Sequence, residues 1–413
     1  MSSSPNRPTM DLKSDSIEKV TFTLPDDFAT NIELLFNTIS TRSRILELGN
    51  DLDAFASKFS ENPFLLSGFI SQFIRSKRFS GWAPFILVVK ENQKIVATAP
   101  LMIKKQLGLR FASFFPNGWF APDFVIDDLR SETCIDYVVD YLFKTLNCQY
   151  ARFYLPAESP NLETLERQCR VRGISFSTKN QSGHRVLSVD CTWQQFQEKR
   201  GRRRIVRQIE HKLNQIGSWK IEYVEDVNNR TDILQKILAV EKMSWKESWR
   251  NRMQIATDEE LLMVWEGSQI STRSATDLKC SVWFLQINRE TVAYTFVVKY
   301  KGTAFITKTC FDNRYRKFYV GKYLMHIVIG DIFNERQIKT IDFMTDLPFL
   351  SFWTSLSLTH VEGLMWKGHL ANFVEQLRSN TFTSKVLKLV LDTDNKFLLL
   401  PKKCLLKALP ITT

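Results

Sequence analysis

Between Cys280 and Phe343 the chain sets three β-rich runs, a basic loop, a helix and a further strand in unbroken order. That order restricts the folds open to it more than any other feature. The runs Cys280–Ile287 and Val292–Val298 flank Asn288-Arg289-Glu290, a short polar connection suited to a hairpin. Ala304–Cys310 follows the turn at Tyr300-Lys301-Gly302. Asp312–Tyr319 is basic and aromatic, and Val320-Gly321-Lys322-Tyr323-Leu324 opens a helical pattern continued by Ile327, Val328 and Phe333. Thr340–Phe343 reads as the next strand. Such an order offers a helix N-terminus to an anion. Its first N–H groups and positive dipole end face the ligand, and a glycine permits close approach.

A length of 413 residues exceeds one usual domain and predicts two buried cores. No apolar run approaches the roughly eighteen residues of a membrane span. Met1–Lys19 is polar and Ser-rich without an apolar core segment, which predicts a loose leader rather than a secretion signal. The 7 cysteines are dispersed with no Cys-x-x-Cys pair, an arrangement expected in a reducing cytoplasm. The 5 histidines show no metal-ligand spacing, so no metal is expected. A net charge of +12 suits nucleic acid, an anionic membrane or an anionic small ligand. The excess is local: part lies in Glu198–Arg204 and part in the apolar-basic tail from Lys385 to Lys407. That tail is suited to peripheral membrane contact or to packing on the second domain.

The two halves share one grammar. In the first, Leu52–Phe59 and Pro63–Ile74 read as helices, Pro84–Val89, Ile95–Leu101 and Phe111–Phe115 as strands, Ile135–Leu146 as a helix and Ala151–Tyr154 as a strand. A helix over Leu162–Arg172 and a closing strand at Arg185–Val189 follow. In the second, Trp193–Gln215 reads as a helix interrupted near Gly201, then come a strand over Trp219–Val224 and helices over Thr231–Trp245 and Asp258–Ser271. The expected division is an N-terminal extension over 1–47, domains over 48–190 and 191–370, and a tail over 371–413.

Four features resemble the GNAT acyltransferase superfamily, in its cellulose-biosynthesis-associated (CelD/BcsL-like) branch, which is related in fold to Fem-type aminoacyl transferases. They are Glu241–Lys246, the Thr291–Cys310 strand pair followed by Asp312, Gly321–Leu324, and Ile341-Asp342-Phe343. Pro63-Phe64-Leu65, Pro100-Leu101 and Asp123 fit the N-terminal part of that family, so the resemblance spans most of Asn62–Trp366. It implies an α/β fold of two tandem GNAT-like domains, each a mostly antiparallel mixed sheet flanked by helices. It also implies an acetyl-CoA or other acyl-CoA donor and a small-molecule amine acceptor, such as an amino sugar or a cell-envelope precursor. The alternatives are an aminoacyl-tRNA donor and a non-catalytic binding protein. The GNAT signature of Arg or Gln, two residues, Gly, one residue, Gly or Ala is met by Arg316 and Gly321, but Tyr319 replaces its first glycine.

By this resemblance Arg316, Lys317, Val320, Gly321, Lys322 and Tyr323 hold the donor, and an amide near Lys308-Thr309-Cys310 polarises the thioester, placing Thr309 in the catalytic set. Glu241 and Asp342 are the candidate bases, and Trp245, Lys246 and Asp346 line the acceptor side. By its sequence context Glu241 reads first as an exposed helical acid paired with Lys246 or another cation, and Asp342 is equally the cap of the next turn. Many relatives carry a Tyr-Lys pair where this chain has Phe349-Leu350, so either another residue, with Tyr315, Tyr319 and Tyr323 as candidates, protonates the leaving thiolate or the activity has drifted. Arg202, Arg203, Arg204, Arg207 and His211 form a basic helical face suited to RNA, tRNA or a ribose phosphate, or simply to solvent.

Overall fold

The computed structural model describes residues 17–22, 32–39, 41–75, 81–106, 109–115, 120, 122–127, 130–201, 203–244, 257–275 and 277–367. The expected tail, the leader before residue 17, and the positions of Arg202, Trp245 and Lys246 lie outside them. The strands are β1 (Ile17–Phe22), β2 (Ile32–Ile39), β3 (Ala83–Glu91), β4 (Lys94–Gln106), β5 (Leu109–Phe114), β6 (Val125–Ile126), β7 (Tyr150–Pro156), β8 (Ser175–Ser188), β9 (Trp219–Val224), β10 (Lys279–Ile287), β11 (Glu290–Tyr300), β12 (Thr303–Phe311), β13 (Thr340–Asp342) and β14 (Ser357–Trp366). The helices are α1 (Arg42–Glu47), α2 (Gly49–Phe59), α3 (Ser67–Arg75), α4 (Ser131–Asp140), α5 (Asn161–Val171), α6 (Trp193–Arg200), α7 (Arg203–Ile216), α8 (Thr231–Lys242), α9 (Thr257–Ser271) and α10 (Val320–Phe333).

All strands join one mixed sheet in the order β1-β2-β3-β4-β5-β7-β14-β8-β13-β12-β11-β10-β9, with β6 on β4. The two halves are built alike. A strand (β2 or β9) pairs antiparallel with the first of a three-strand meander, β3-β4-β5 or β10-β11-β12. A crossover containing α4 or α10 then returns to a parallel neighbour, β7 beside β5 or β13 beside β12. The closing strands are exchanged. β14, from the end of the second half, pairs with β7 of the first, while β8 of the first pairs with β13 of the second. β8 and β14 also pair with each other, which makes the sheet continuous.

The helices cover both faces. On one face α1, α2, α3, α8 and α9 bury a core shared by both halves, including Phe64, Phe69, Phe73, Val240, Leu261 and Val264. α3 and α9 cross closely because each carries a glycine there. A Cβ on Gly267 would stand 2.6 Å from Phe69 Cδ1, and one on Gly68 2.7 Å from the Gly267 carbonyl oxygen. The opposite face is split between α4 with α5 and α6, α7 with α10. The break expected near Gly201 is real: Gly201 sits in the left-handed region at φ 61° and ends α6. Among the described residues no helix is long and apolar enough to cross a membrane.

Candidate active site

The cleft starts where two strands part. β12 pairs with β13 only at Thr303–Phe305, opposite Thr340–Asp342. Beyond Phe305, β12 runs on to Phe311, and its register against β11 shifts so that Phe296 faces Lys308 and Val297 faces Ile306. Thr307 is the extra residue, and its Oγ1 donates to the Phe296 carbonyl at 3.1 Å. A bulge bends and twists its strand, which swings the end of β12 away from β13. β13 stops because Asp342 caps its own turn. Asp342 Oδ1 accepts from the Met344 amide at 2.6 Å, and Met344 takes a left-handed conformation at φ 53°.

The resulting cleft encloses about 1360 Å³ and reaches the head of α10. Its lining includes Lys308, Arg314, Arg316, Lys317 and Lys322, and no Asp or Glu stands among the described lining residues. Arg314 is bound to Asp312, with Nε 2.9 Å from Oδ2, and to Glu290. Among the described residues Arg316 and Lys317 contact no carboxylate and remain exposed at the mouth. Lys322 Nζ lies 3.5 Å from the centre of the Phe352 ring. The first amides of α10 have no intrahelical carbonyl to bond. Tyr319, the residue before them, adopts φ 58°, a left-handed conformation that glycine reaches without strain, so the glycine missing from the signature is a backbone requirement met here by a tyrosine.

The structure thus brings together Thr309, Arg316, Lys317, Gly321 and Lys322 along one cleft. Thr309 Oγ1 donates to the Tyr294 carbonyl at 3.2 Å. Gly321 has a packing reason as well, since a Cβ there would meet Phe311 Cδ1 at 2.7 Å. Val320 contributes its position at the helix head, while its side chain is buried in the α7–α10 core. Tyr323 faces away. Its amide donates to the Tyr319 carbonyl at 3.0 Å and its hydroxyl to Glu210 Oε1 at 3.0 Å, and burial together with Glu210 raises its pKa.

The remaining candidates stand apart from the lining. Glu241 is buried and accepts a hydrogen bond from the Tyr294 hydroxyl. Asp342 is buried behind Met344, with Oδ2 3.2 Å from His184 Nδ1, and the His184 ring packs edge-on against His360. Asp346 pairs with Arg185 at 2.8 Å. Of the three tyrosines considered as proton donors, Tyr315 donates to Glu290 at 3.3 Å and Tyr323 is committed to Glu210, so Tyr319 alone lines the cleft. Sequence reading passed over Lys308 as a site residue and missed Phe120 and Met344. Phe120 comes from the first half and gave no local signal, but the left-handed turn at Met344 follows from Asp342 capping it.

Residues 200–349, which carry most of the cleft lining, match the family model described as an acetyltransferase (GNAT) domain. Among solved structures, the chain is similar to the C-terminal domain of a protein titled a lysylphosphatidylglycerol synthetase from Agrobacterium fabrum. That match has 12% identity over 81% of this chain and 95% of that one, with a TM-score of 0.50. A conserved protein of unknown function from Bacteroides thetaiotaomicron matches at 13% identity over 78% and 97%, with a TM-score of 0.51. A structure titled FemX matches at 11% identity over 79% and 97%, with a TM-score of 0.49. At such identities the likeness is one of fold. No curated protein matches the chain in sequence.

Proposed function

We propose that the chain is an N-acyltransferase that takes an acyl group from a CoA thioester lying in the β12–β13 cleft and hands it directly to an amine. The carrying observation is the charge of the cleft: its described lining holds five cations, Lys308, Arg314, Arg316, Lys317 and Lys322, and no carboxylate, beside a helix head. That combination suits the diphosphate of a nucleotide carrier. The amides of α10 and the Arg316–Lys317 pair hold the diphosphate, and the pantetheine arm runs inward along the unpaired edge of β12. A backbone amide near Thr309 polarises the thioester carbonyl, and Tyr319 lends a proton to the departing thiolate. The acceptor side belongs to the cellulose-biosynthesis-associated branch in this reading, with an amino sugar or cell-envelope precursor as the amine.

Titration calorimetry with CoA tests the donor. CoA binds the wild type, and Arg316→Ala with Lys317→Ala weakens binding at least tenfold; a chain that releases no heat with CoA or acetyl-CoA sinks the reading. Free-thiol release across a panel of amines then identifies the acceptor.

One observation favours a second donor. Arg203, Arg204, Arg207, His211 and Lys212 are exposed on α7, and Lys212 Nζ stands 5.0 Å from the Tyr319 ring centre at the cleft mouth. A basic helix beside the cleft suits the backbone of an aminoacyl-tRNA. Under that reading tRNA binding falls steeply with salt and is lost in an Arg203→Ala, Arg204→Ala, Arg207→Ala variant, while CoA is ignored.

A further inference from the structure

The large apolar side chains that reach solvent gather beside the cleft. Among the described residues nine are exposed, and four of them lie between β13 and the first residues of β14: Leu347, Phe349, Leu356 and Leu358, at 47%, 50%, 53% and 41%. A fifth, Tyr319, lines the cleft together with Leu347 and Phe349. The other four, Leu46, Val171, Tyr223 and Met243, stand singly on α1, α5, β9 and the end of α8. Leu347 and Phe349 turn outward because the short helix Pro348–Phe352 gives Leu350 to the core, with Trp353 behind it. β8 draws the two stretches together. The Arg185 amide donates to the Thr345 carbonyl at 2.9 Å, the Arg185 Nη1 to the Thr354 carbonyl at 3.2 Å, and the Val186 amide to the Leu356 carbonyl at 3.1 Å. Leu358 follows on β14, where a Cβ on Gly183 would stand 1.9 Å from its carbonyl oxygen.

Single exposed leucines are ordinary on a protein surface, whereas a gathered apolar patch marks a contact with a partner. Its neighbours indicate which partner. Arg316 and Lys317 are exposed at the same mouth and Lys322 lines it, while the acid nearest in sequence, Asp346, is paired with Arg185 at 2.8 Å. The chain as a whole carries +12. Protein interfaces deplete lysine at their core, but an anionic bilayer attracts lysine and arginine and admits leucine and phenylalanine beneath them. We infer that this rim docks on an anionic lipid surface, with Leu347, Phe349, Leu356 and Leu358 entering the interface and the cations of the cleft mouth drawing the chain to it. The mouth then opens at the headgroup layer. The inference does not depend on which donor the cleft takes, since neither CoA nor aminoacyl-tRNA enters it.

Flotation of the full chain with vesicles tests it, using phosphatidylcholine alone or mixed with phosphatidylglycerol. The wild type is expected to float with the mixed vesicles, to do so less as salt rises, and to stay behind with phosphatidylcholine alone. A variant carrying Leu347→Ser, Phe349→Ser, Leu356→Ser and Leu358→Ser should partition at least about tenfold more weakly, because it has lost the apolar contribution. Should that variant fail to fold, Leu356→Ser with Leu358→Ser alone is expected to give part of the same loss. Three results overturn the inference: no flotation with the mixed vesicles, equal flotation with phosphatidylcholine alone, or undiminished flotation of a folded serine variant, which would report adsorption through cations elsewhere. Sedimentation velocity without lipid supplies a fourth. Self-association of the wild type that the serine variant abolishes would make the patch an interface between copies of this chain and overturn lipid docking. Calorimetry with CoA decides the donor separately, so failure of one reading leaves the other standing.

Discussion

At the scale of single residues, two positions at the head of α10 show how sequence meets geometry. Tyr319 accepts a backbone conformation that costs an ordinary residue about 1–2 kcal/mol, which marks the turn as one the fold demands. Gly321 lies under the Phe311 ring, so Gly321→Ala should lower stability by roughly 1–3 kcal/mol in urea unfolding, as overpacked sites do. Pairing it with Phe311→Ala should cost less than the sum of the two changes. A larger side chain at Gly321 would thus confuse ligand loss with core damage, which is why Arg316 and Lys317 are the better probes of the cleft. Two buried histidines give a pH signature. Burial lowers His326 to about 4, and burial with the neighbouring His184 lowers His360 to about 4, against an ordinary 6.5. Their unfolded forms bind a proton below about 6.5 while the folded forms refuse it. Their contribution is full above that pH and is lost as the pH falls toward 4, by roughly 1–3 kcal/mol each. Urea midpoints between pH 7 and 4 should show this slope, and it should flatten in His326→Gln and His360→Gln.

At the scale of elements, the cleft exists because β12 and β13 pair over three residues and then diverge at the Thr307 bulge. The turn after β13 is held by β8. The Arg185 amide donates to the Thr345 carbonyl at 2.9 Å, Arg185 pairs with Asp346, and His184 meets Asp342. Asp342 thereby serves as a positioning residue for the cleft wall. The α3–α9 crossing is the other decisive contact. Gly267→Leu would drive a side chain into Phe69 and separate the helices, lowering stability by about 3 kcal/mol or more in thermal or urea unfolding. An unchanged midpoint would mean that the crossing does not hold the halves together.

At the scale of the whole molecule, the exchanged strands make the two halves one folding problem. β14 supplies the neighbour that β7 and β8 both need, and it arrives only after the second half is complete. Residues 1–190 expressed alone should therefore lack cooperative unfolding, as should a chain ending at Thr354, while the full chain unfolds in one transition. Two independent transitions in the full chain would contradict this. The repeated grammar of the halves, the meander, the helix opened by Gly321 and the break at Gly201 were all legible in the sequence, because periodicity and turn chemistry are local. So were the cations of the Arg314–Lys322 stretch. The cap that Asp342 makes on the turn after β13 was one of the two readings its sequence context allowed, but its contact with His184 and the burial of Glu241 against Tyr294 were not legible, because each partner lies far away along the chain. Nor could a sequence read strand by strand reveal that β8 and β14 trade places, or that Phe120 from the first half closes a cleft in the second. Local pattern decided which strands and helices form and where the cations of the cleft gather along the chain. Pairing between distant strands, set by which edges remain unsatisfied once the meanders have formed, decided how the halves join and what lines the cleft.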